Sequence, residues 1–119
     1  MTDKDKAIRL FKATAPVFGL SYFELVEKSR AVPRPSARFA VFNFMAFELD
    51  WGCTRIQRAL PFRLDHSSVV NGINRSQKLY DTDWEYSERC QEAWRDMRTV
   101  ISTRESTPEL NQIELEVNE

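Results

Sequence analysis

Apolar residues recur along this chain at the three- and four-residue spacing of a helix face, and no stretch shows strand-like alternation bounded by turn pairs. A first helix is predicted over residues 3–14, and Pro16 should kink or end it. Ser21 is expected to cap a short helix over residues 22–28, because Glu24 stands at the capping-box position. The pattern therefore predicts an all-α fold.

The most apolar stretch covers residues 36–50, with Ser36 as its expected cap. Its large side chains surround more than one side of a helix, which is typical of a buried central helix. We expect them to form core rather than a platform on which nucleic-acid bases stack. These side chains are Phe39, Phe42, Phe44, Met45 and Phe47.

Two helices with a tight connection are predicted after this central stretch. Gly52 breaks the chain before a two-turn helix over residues 53–60, and residues 61–64 form a turn. Asp65 should then cap a helix over residues 66–80. This arrangement has the outline of a helix-turn-helix, a motif that places its second helix in the major groove of DNA.

The formal net charge of −1 conceals a basic middle and an acidic end. Residues 28–78 carry nine Lys or Arg against three Asp or Glu, whereas residues 79–119 carry four against eleven. A basic segment predicts an anionic partner such as nucleic acid, although a solvated basic face is the alternative. We divide the chain into a helix-turn-helix domain (1–80), an acidic helical extension (81–103) and a flexible acidic tail (104–119).

The sequence also limits the setting in which the protein works. No run of about 18 apolar residues is present to span a membrane, and the N-terminus lacks the charged-then-apolar build of a signal peptide. Cys53 and Cys90 belong to no Cys or His ligand set. We therefore expect reduced thiols in a cytoplasmic, nucleoid-associated protein.

His66, the only histidine, stands between Asp65 and the pair Ser67 and Ser68, which raises the question of a catalytic triad or a metal site. Neighbouring side chains at a helix start diverge, and a single histidine leaves no spare base. A metal would need a second His or Cys at helical spacing, which the sequence lacks. We expect no enzyme activity, metal or cofactor. The remaining alternatives are a phosphate contact at the helix N-terminus and an ordinary capping position.

Four pieces of the chain occur in an order that resembles the C-terminal DNA-binding domain of the bacterial replication initiator DnaA. They read FGLSYFELVEKSR, RPSARFAVFNFMAFEL, RIQRAL and LDHSSVVNGINRSQKL, and the likeness covers about residues 7–80. The resemblance implies an all-helical fold of the Trp-repressor class that binds an initiator box in duplex DNA. The chain differs in having Pro61 and Phe62 where the family has Gly-Gly, an additional Leu64, and no phosphate loop of the initiator's ATPase module.

The same resemblance implies which residues contact DNA. The matched recognition-helix start is expected to face base edges and phosphates in the major groove. Arg38 matches the arginine at the start of the central helix, and the basic loop before that helix is expected to reach the minor groove. The residues so implied are Arg34, Arg38, Arg63, Asp65, His66, Ser67 and Ser68.

The resulting hypothesis is a sequence-specific, double-stranded DNA-binding domain that regulates replication initiation. A protein-interaction module on the same scaffold is the alternative hypothesis. In that case the acidic segment 79–119, which also contains Trp84 and Trp94, would bind the replication initiator or one of its regulators. Regulation of transcription is a further alternative.

Overall fold

The computed structural model describes residues 2–27 and 35–106, and it folds them into six α-helices without a strand in this part of the chain. The predicted all-α class is confirmed. A 3₁₀ helix, Ala15–Phe18, extends α1, and a π-helix, Phe44–Glu48, extends α3. None of the helices within the described ranges combines the length and the apolar character needed to cross a membrane. The six helices are α1 (Asp3–Thr14), α2 (Tyr22–Val26), α3 (Pro35–Asn43), α4 (Cys53–Ala59), α5 (His66–Thr82) and α6 (Trp84–Ser106).

Side-chain caps define the starts of α1 and α2. Thr2 Oγ1 accepts a hydrogen bond from Asp5 N at 3.0 Å, while Asp5 Oδ2 accepts one from Thr2 N at 3.4 Å. Ser21 and Glu24 form the same reciprocal pair at 3.1 and 2.9 Å, which confirms the predicted capping box. Helix α1 ends two residues before Pro16, as expected for a residue without a backbone N–H.

Helix α3 differs from the expectation at both ends. It begins at Pro35, so that Ser36 lies inside the first turn and is not the cap. At its other end the chain widens into the π-helix Phe44–Glu48, and Phe47 is 62% exposed. A π turn adds a residue to the helical repeat and thereby rotates the following side chains away from the buried face. The expected burial of Phe47 is therefore wrong, whereas Phe42 is fully buried as predicted.

One hydrophobic core joins α1, α3, α5 and α6. Leu10 and Phe11 of α1 are fully buried, and the Phe11 ring lies edge-on to Phe42 with centroids 6.5 Å apart. Helix α6 places Met97, also fully buried, in the same cluster. Residues 81–103, which the sequence indicated as an extension, thus help to complete the core of the helical domain.

The C-terminal helix starts and ends later than the sequence indicated. Thr82 closes α5, and Asp83 joins α5 to α6 with its Oδ1 accepting a hydrogen bond from Tyr86 N at 3.2 Å. Helix α6 then continues to Ser106, three residues into the segment expected to be a flexible tail. The remainder of that predicted tail, residues 107–119, lies outside the described residues.

A buried chain of hydrogen bonds connects α3, α5 and α6. Asn43 Nδ2 donates to Ser76 Oγ at 3.3 Å, and Ser76 Oγ lies 2.9 Å from the Tyr86 hydroxyl. The Tyr86 hydroxyl donates to the Ser36 carbonyl at 3.0 Å, so its own oxygen accepts the Ser76 proton. Burial raises the pKa of Tyr86 and keeps the phenol protonated. The chain satisfies polar groups that would each cost about 1–3 kcal/mol if buried without a partner.

Cys90 is buried beside this chain, in a small cluster with Ala40 and Tyr86. Burial is the main cause that raises the pKa of its thiol to about 11. Trp94 covers the same region, and its Nε1 donates to the Ala40 carbonyl at 3.1 Å. Cys53, at the start of α4, is half-buried, and both cysteines are free thiols.

Gly72 allows α5 to approach α3 closely. A Cβ atom at this position would lie 2.8 Å from Phe39 Cδ1 and 2.8 Å from Phe42 Cδ2, which is shorter than carbon–carbon van der Waals contact. A glycine inside a helix costs about 1 kcal/mol relative to alanine. Here the contact of the α5 backbone with the two rings offsets that cost.

Candidate nucleic-acid interface

Helices α4 and α5 lie in contact and are joined by residues 60–65, a longer connection than the predicted four-residue turn. Leu60 is buried at its start. Gln57 Nε2 then donates to the Leu64 carbonyl at 2.9 Å, which ties the connection back to α4. On α5, Val69 is fully buried and Ile73 is almost fully buried, so the opposite side of this helix faces solvent.

Asp65 caps α5 as predicted, with Oδ1 accepting a hydrogen bond from Ser68 N at 2.9 Å. Hydrogen bonding from Ser68, with a smaller contribution from Ser67, holds the pKa of Asp65 below its usual range. The Asp65 carboxylate is therefore used to cap the N-terminus of α5.

His66 and Ser67 are exposed at the start of α5, and Ser68 is half-buried. No side-chain hydrogen bond between His66 and another residue of the described ranges is present. Within those same ranges, no group of three or more His, Cys, Asp or Glu side chains is placed to hold a metal ion. The exposed first turn instead presents the His66 ring and the Ser67 hydroxyl to solvent, and both groups can hydrogen-bond to an anion.

Arg38 has internal contacts that its position in the sequence did not indicate. Its Nε donates to the Leu25 carbonyl at 2.7 Å and its Nη2 donates to the Glu27 carbonyl at 2.6 Å. Its guanidinium carbon also lies 4.1 Å from the centroid of the Phe62 ring, within the range of a cation–π contact. The side chain thus binds the C-terminal end of α2 to the start of α3.

The other two implied arginines differ in what the structure describes. Arg63 is exposed in the connection between α4 and α5. Arg34 lies outside the described residues, so its predicted contact with DNA has no structural counterpart here.

The exposed side of α5 contains residues that the sequence analysis did not select. These residues lie four, seven and eleven positions after Ser67 on the same side of the helix. Together with Ser67 they form a surface that we call the α5 outer face. All four side chains are exposed, and the exposed Arg75 borders them. The helical period of the sequence could have identified them, because these positions lie opposite Val69 and Ile73 on α5. The α5 outer face consists of Ser67, Asn71, Asn74 and Lys78.

A groove of about 750 Å³ runs along α5 where this helix meets α3. This α3–α5 groove has aromatic and aliphatic side chains between its polar edges, and none of the described residues that line it is acidic. Some of these described lining residues are cationic. They are Arg38, Arg75 and Lys78.

The described residues therefore bring together an exposed helix start, a row of hydroxyl and amide side chains, and two exposed cations along one helix. Such groups can hydrogen-bond to base edges and neutralise phosphates. No protein-family model, no curated protein and no solved structure matches this chain.

Proposed function

We propose that the protein binds double-stranded DNA by placing α5 in the major groove. The α5 outer face is the observation that carries this proposal, since it offers amide, hydroxyl and ammonium groups on one exposed side of a single helix. No acidic residue occurs between Asp65 and Asp81, so nothing along this stretch of the helix repels phosphate. The major groove is about 12 Å wide and admits an α-helix. The likeness of residues 53–80 to the helix-turn-helix of the DnaA family supports the same interpretation.

Each group on α5 has a role that follows from its chemistry. The amides of Asn71 and Asn74 can donate to and accept from an adenine edge, which distinguishes one base pair from another. Lys78 and Arg75 neutralise phosphates and displace counterions. The exposed His66 ring in the first turn can donate to a phosphate, whereas the Ser68 N–H of this turn is already bonded to the Asp65 carboxylate.

Arg38 has a positioning role in this proposal. Because its guanidinium is bonded to the carbonyls of Leu25 and Glu27, it orients α2 relative to α3 instead of acting mainly as a phosphate contact. This assignment differs from the role that the DnaA resemblance implies for the same residue.

The decisive test measures the affinity of the purified protein for an initiator-box duplex and for a scrambled duplex, by fluorescence anisotropy at two salt concentrations. Asn71→Ala should reduce discrimination between the two duplexes by about 1–3 kcal/mol. Lys78→Ala should weaken binding to both and lower the slope of log affinity against log salt by about 1. Arg95→Ala removes an exposed cation from α6 and is the matched control, with both quantities unchanged.

Two results of that measurement would contradict the proposal at different levels. Equal affinity of the wild-type protein for the two duplexes would exclude sequence reading. Absence of binding to either duplex at low salt would exclude DNA binding altogether. A genome-wide occupancy map then distinguishes replication from transcription, because a replication regulator should share sites with the initiator.

A second candidate function rests on the exposed face of α6. Trp84 is 73% exposed there, and Glu85, Glu88 and Glu92 are exposed on the same helix. An exposed tryptophan among acidic side chains is typical of a surface that binds a basic protein partner. The replication initiator or one of its regulators is the partner that this hypothesis names.

Trp84→Ala tests this second candidate function. Binding of the purified initiator should weaken at least tenfold, a loss of about 1.4 kcal/mol. Phe23→Ala removes an exposed aromatic side chain elsewhere and should have no effect on this binding.

A further inference from the structure

The α3–α5 groove combines apolar surface with a cationic edge. Phe39 and Leu64 line it and are half-buried, whereas Arg75 and Lys78 line it and are exposed. Neither of these two cations forms a side-chain hydrogen bond or an ion pair with another residue in the described ranges. A volume of about 750 Å³ is within the range of clefts that hold ligands. The groove therefore suits a segment that carries both apolar and anionic groups.

Residues 107–119 of the same chain have this combination. Their sequence is TPELNQIELEVNE, with four glutamates and no Lys or Arg. From Ile113 to Val117 apolar and acidic residues alternate, and an extended backbone directs such alternate side chains to opposite sides. One side can then contact the apolar surface while the carboxylates meet the long cationic side chains. Residues 28–34 carry three Lys or Arg and no acid, so their charge has the same sign as that of the groove.

Six residues separate the end of α6 from Ile113, the start of the alternating stretch, and they span about 20–22 Å when extended. A short tether gives an effective concentration on the order of millimolar, so that even a weakly binding segment occupies its site for much of the time.

We propose that residues 107–119 bind in the α3–α5 groove of their own chain and compete there with DNA. The groove includes Asn71, Asn74 and Lys78 of the α5 outer face, so a segment bound in it covers the groups assigned to base and phosphate contacts. The binding of the segment stands on the groove and the sequence alone, whereas the competition rests on the proposed function. The segment acts as an internal anion that lowers the affinity for weak DNA sites.

The experiment compares two full-length variants that lose the same charge in different places. The first changes Glu114, Glu116 and Glu119 to Gln in the C-terminal segment. The matched control changes Glu85, Glu88 and Glu92 to Gln on the exposed side of α6. An unchanged amide spectrum of α1 verifies that both variants retain the fold.

Backbone amide chemical shifts in the uniformly labelled proteins report whether the segment occupies the groove. The segment variant should shift the amides of Phe39, Gly72 and Arg75, and high salt should produce the same shifts in the wild-type protein. The control variant should leave these amides unchanged. Unchanged groove amides in the segment variant would overturn the proposal. Groove shifts that appear on dilution of the wild-type protein would also overturn it, since they would show that a second copy supplies the segment.

DNA affinity then separates this inference from the function on which it partly rests. The segment variant should bind an initiator-box duplex about 2- to 10-fold more tightly than the wild-type protein, and the control variant should gain less. Groove shifts without DNA binding in any variant would support the docked segment and refute the DNA-binding function. Groove shifts with equal DNA affinities in both variants would refute the competition.

Discussion

Phe62 contacts Arg38 and Phe11, two residues that lie far from it in the sequence. Its ring lies edge-on to Phe11 with centroids 5.5 Å apart, and the Arg38 guanidinium lies over its face. A glycine at this position would provide neither contact. The packing of Phe62 and the two carbonyls that Arg38 binds therefore give this half-buried arginine contacts within the fold.

Replacing Arg38 should primarily affect stability. Arg38→Ala removes two charge-assisted hydrogen bonds and a cation–π contact, and it should lower the free energy of unfolding by about 2 kcal/mol. Urea denaturation followed by circular dichroism measures this change. Arg63→Ala, at an exposed position in the α4–α5 connection, should change stability by less than about 0.5 kcal/mol. A stable Arg38→Ala protein with weakened DNA binding would instead assign Arg38 to a phosphate contact.

Replacing Gly72 tests the close approach of α3 and α5. Gly72→Ala improves helix propensity but places a methyl group 2.8 Å from the rings of Phe39 and Phe42. Overpacking of this kind costs about 1–3 kcal/mol, so the melting temperature should fall despite the better propensity. Asn71→Ala, one residue away on the exposed side, should leave the melting temperature unchanged or raise it slightly. An increase for Gly72→Ala would show that the rings can move aside.

At the scale of the helix, α5 was predictable where its structure depends on neighbours in the sequence. Its capping residue, Asp65, accepts a hydrogen bond from the backbone N–H only three residues further on, as Ser21 does at the start of α2. The internal bonds of Arg38 and the exposure of Phe47 were not predictable, because they depend on distant carbonyls and on the π-helix that ends α3. Local chemistry is visible in the sequence, whereas contacts across the fold appear only in the structure.

The Asp65 cap of α5 should make the free energy of unfolding depend on pH in the acidic range. The folded-state pKa of Asp65 is below its ordinary value of about 3.9, so its contribution is present above that pH and is lost as pH falls through the folded pKa. Asp65→Asn keeps an amide cap but removes the titration. The stability difference between the wild-type protein and this variant should therefore shrink as pH is lowered from about 5 to about 2.

Urea midpoints at several pH values measure that difference. Asp81→Asn removes a negative charge near the opposite end of the same helix and controls for a change in net charge alone. A constant offset between the wild-type protein and Asp65→Asn across the range would contradict a charged cap. The Arg55 hydrogen bond lowers the pKa of Asp3 in the same direction, so both variants retain some acid sensitivity.

At the scale of the molecule, α6 connects the acidic part of the sequence to the basic part. Arg98 Nε donates to Glu48 at 3.0 Å, and Arg89 Nη1 donates to the Val17 carbonyl at 3.0 Å. Within the basic middle, Arg55 is already paired with Asp3 at 2.8 Å. Among the described residues, the charge available to an external anion is therefore smaller than the sequence count indicates, and Arg75 and Lys78 place part of it on α5.

The shared core predicts that α6 unfolds together with the other helices. Met97→Ala should remove about 2–5 kcal/mol of stability, because the side chain is fully buried in the cluster that includes α1. Trp84→Ala, at a largely exposed position on the same helix, should cost much less. Far-ultraviolet circular dichroism and tryptophan fluorescence should give coincident transitions in both variants. A separate early transition of α6 would show that it is an appended element.

The labelling rate of the buried Cys90 thiol can report how often the molecule opens at α6. A thiol with a pKa of about 11, shielded by Tyr86 and Ala40, reacts with an alkylating probe only when α6 separates from α3. Cys53 is half-buried and should react sooner, which gives an internal reference in the same sample. The ratio of the two labelling rates, read by mass spectrometry, then reports the free energy of that opening in the unmodified protein.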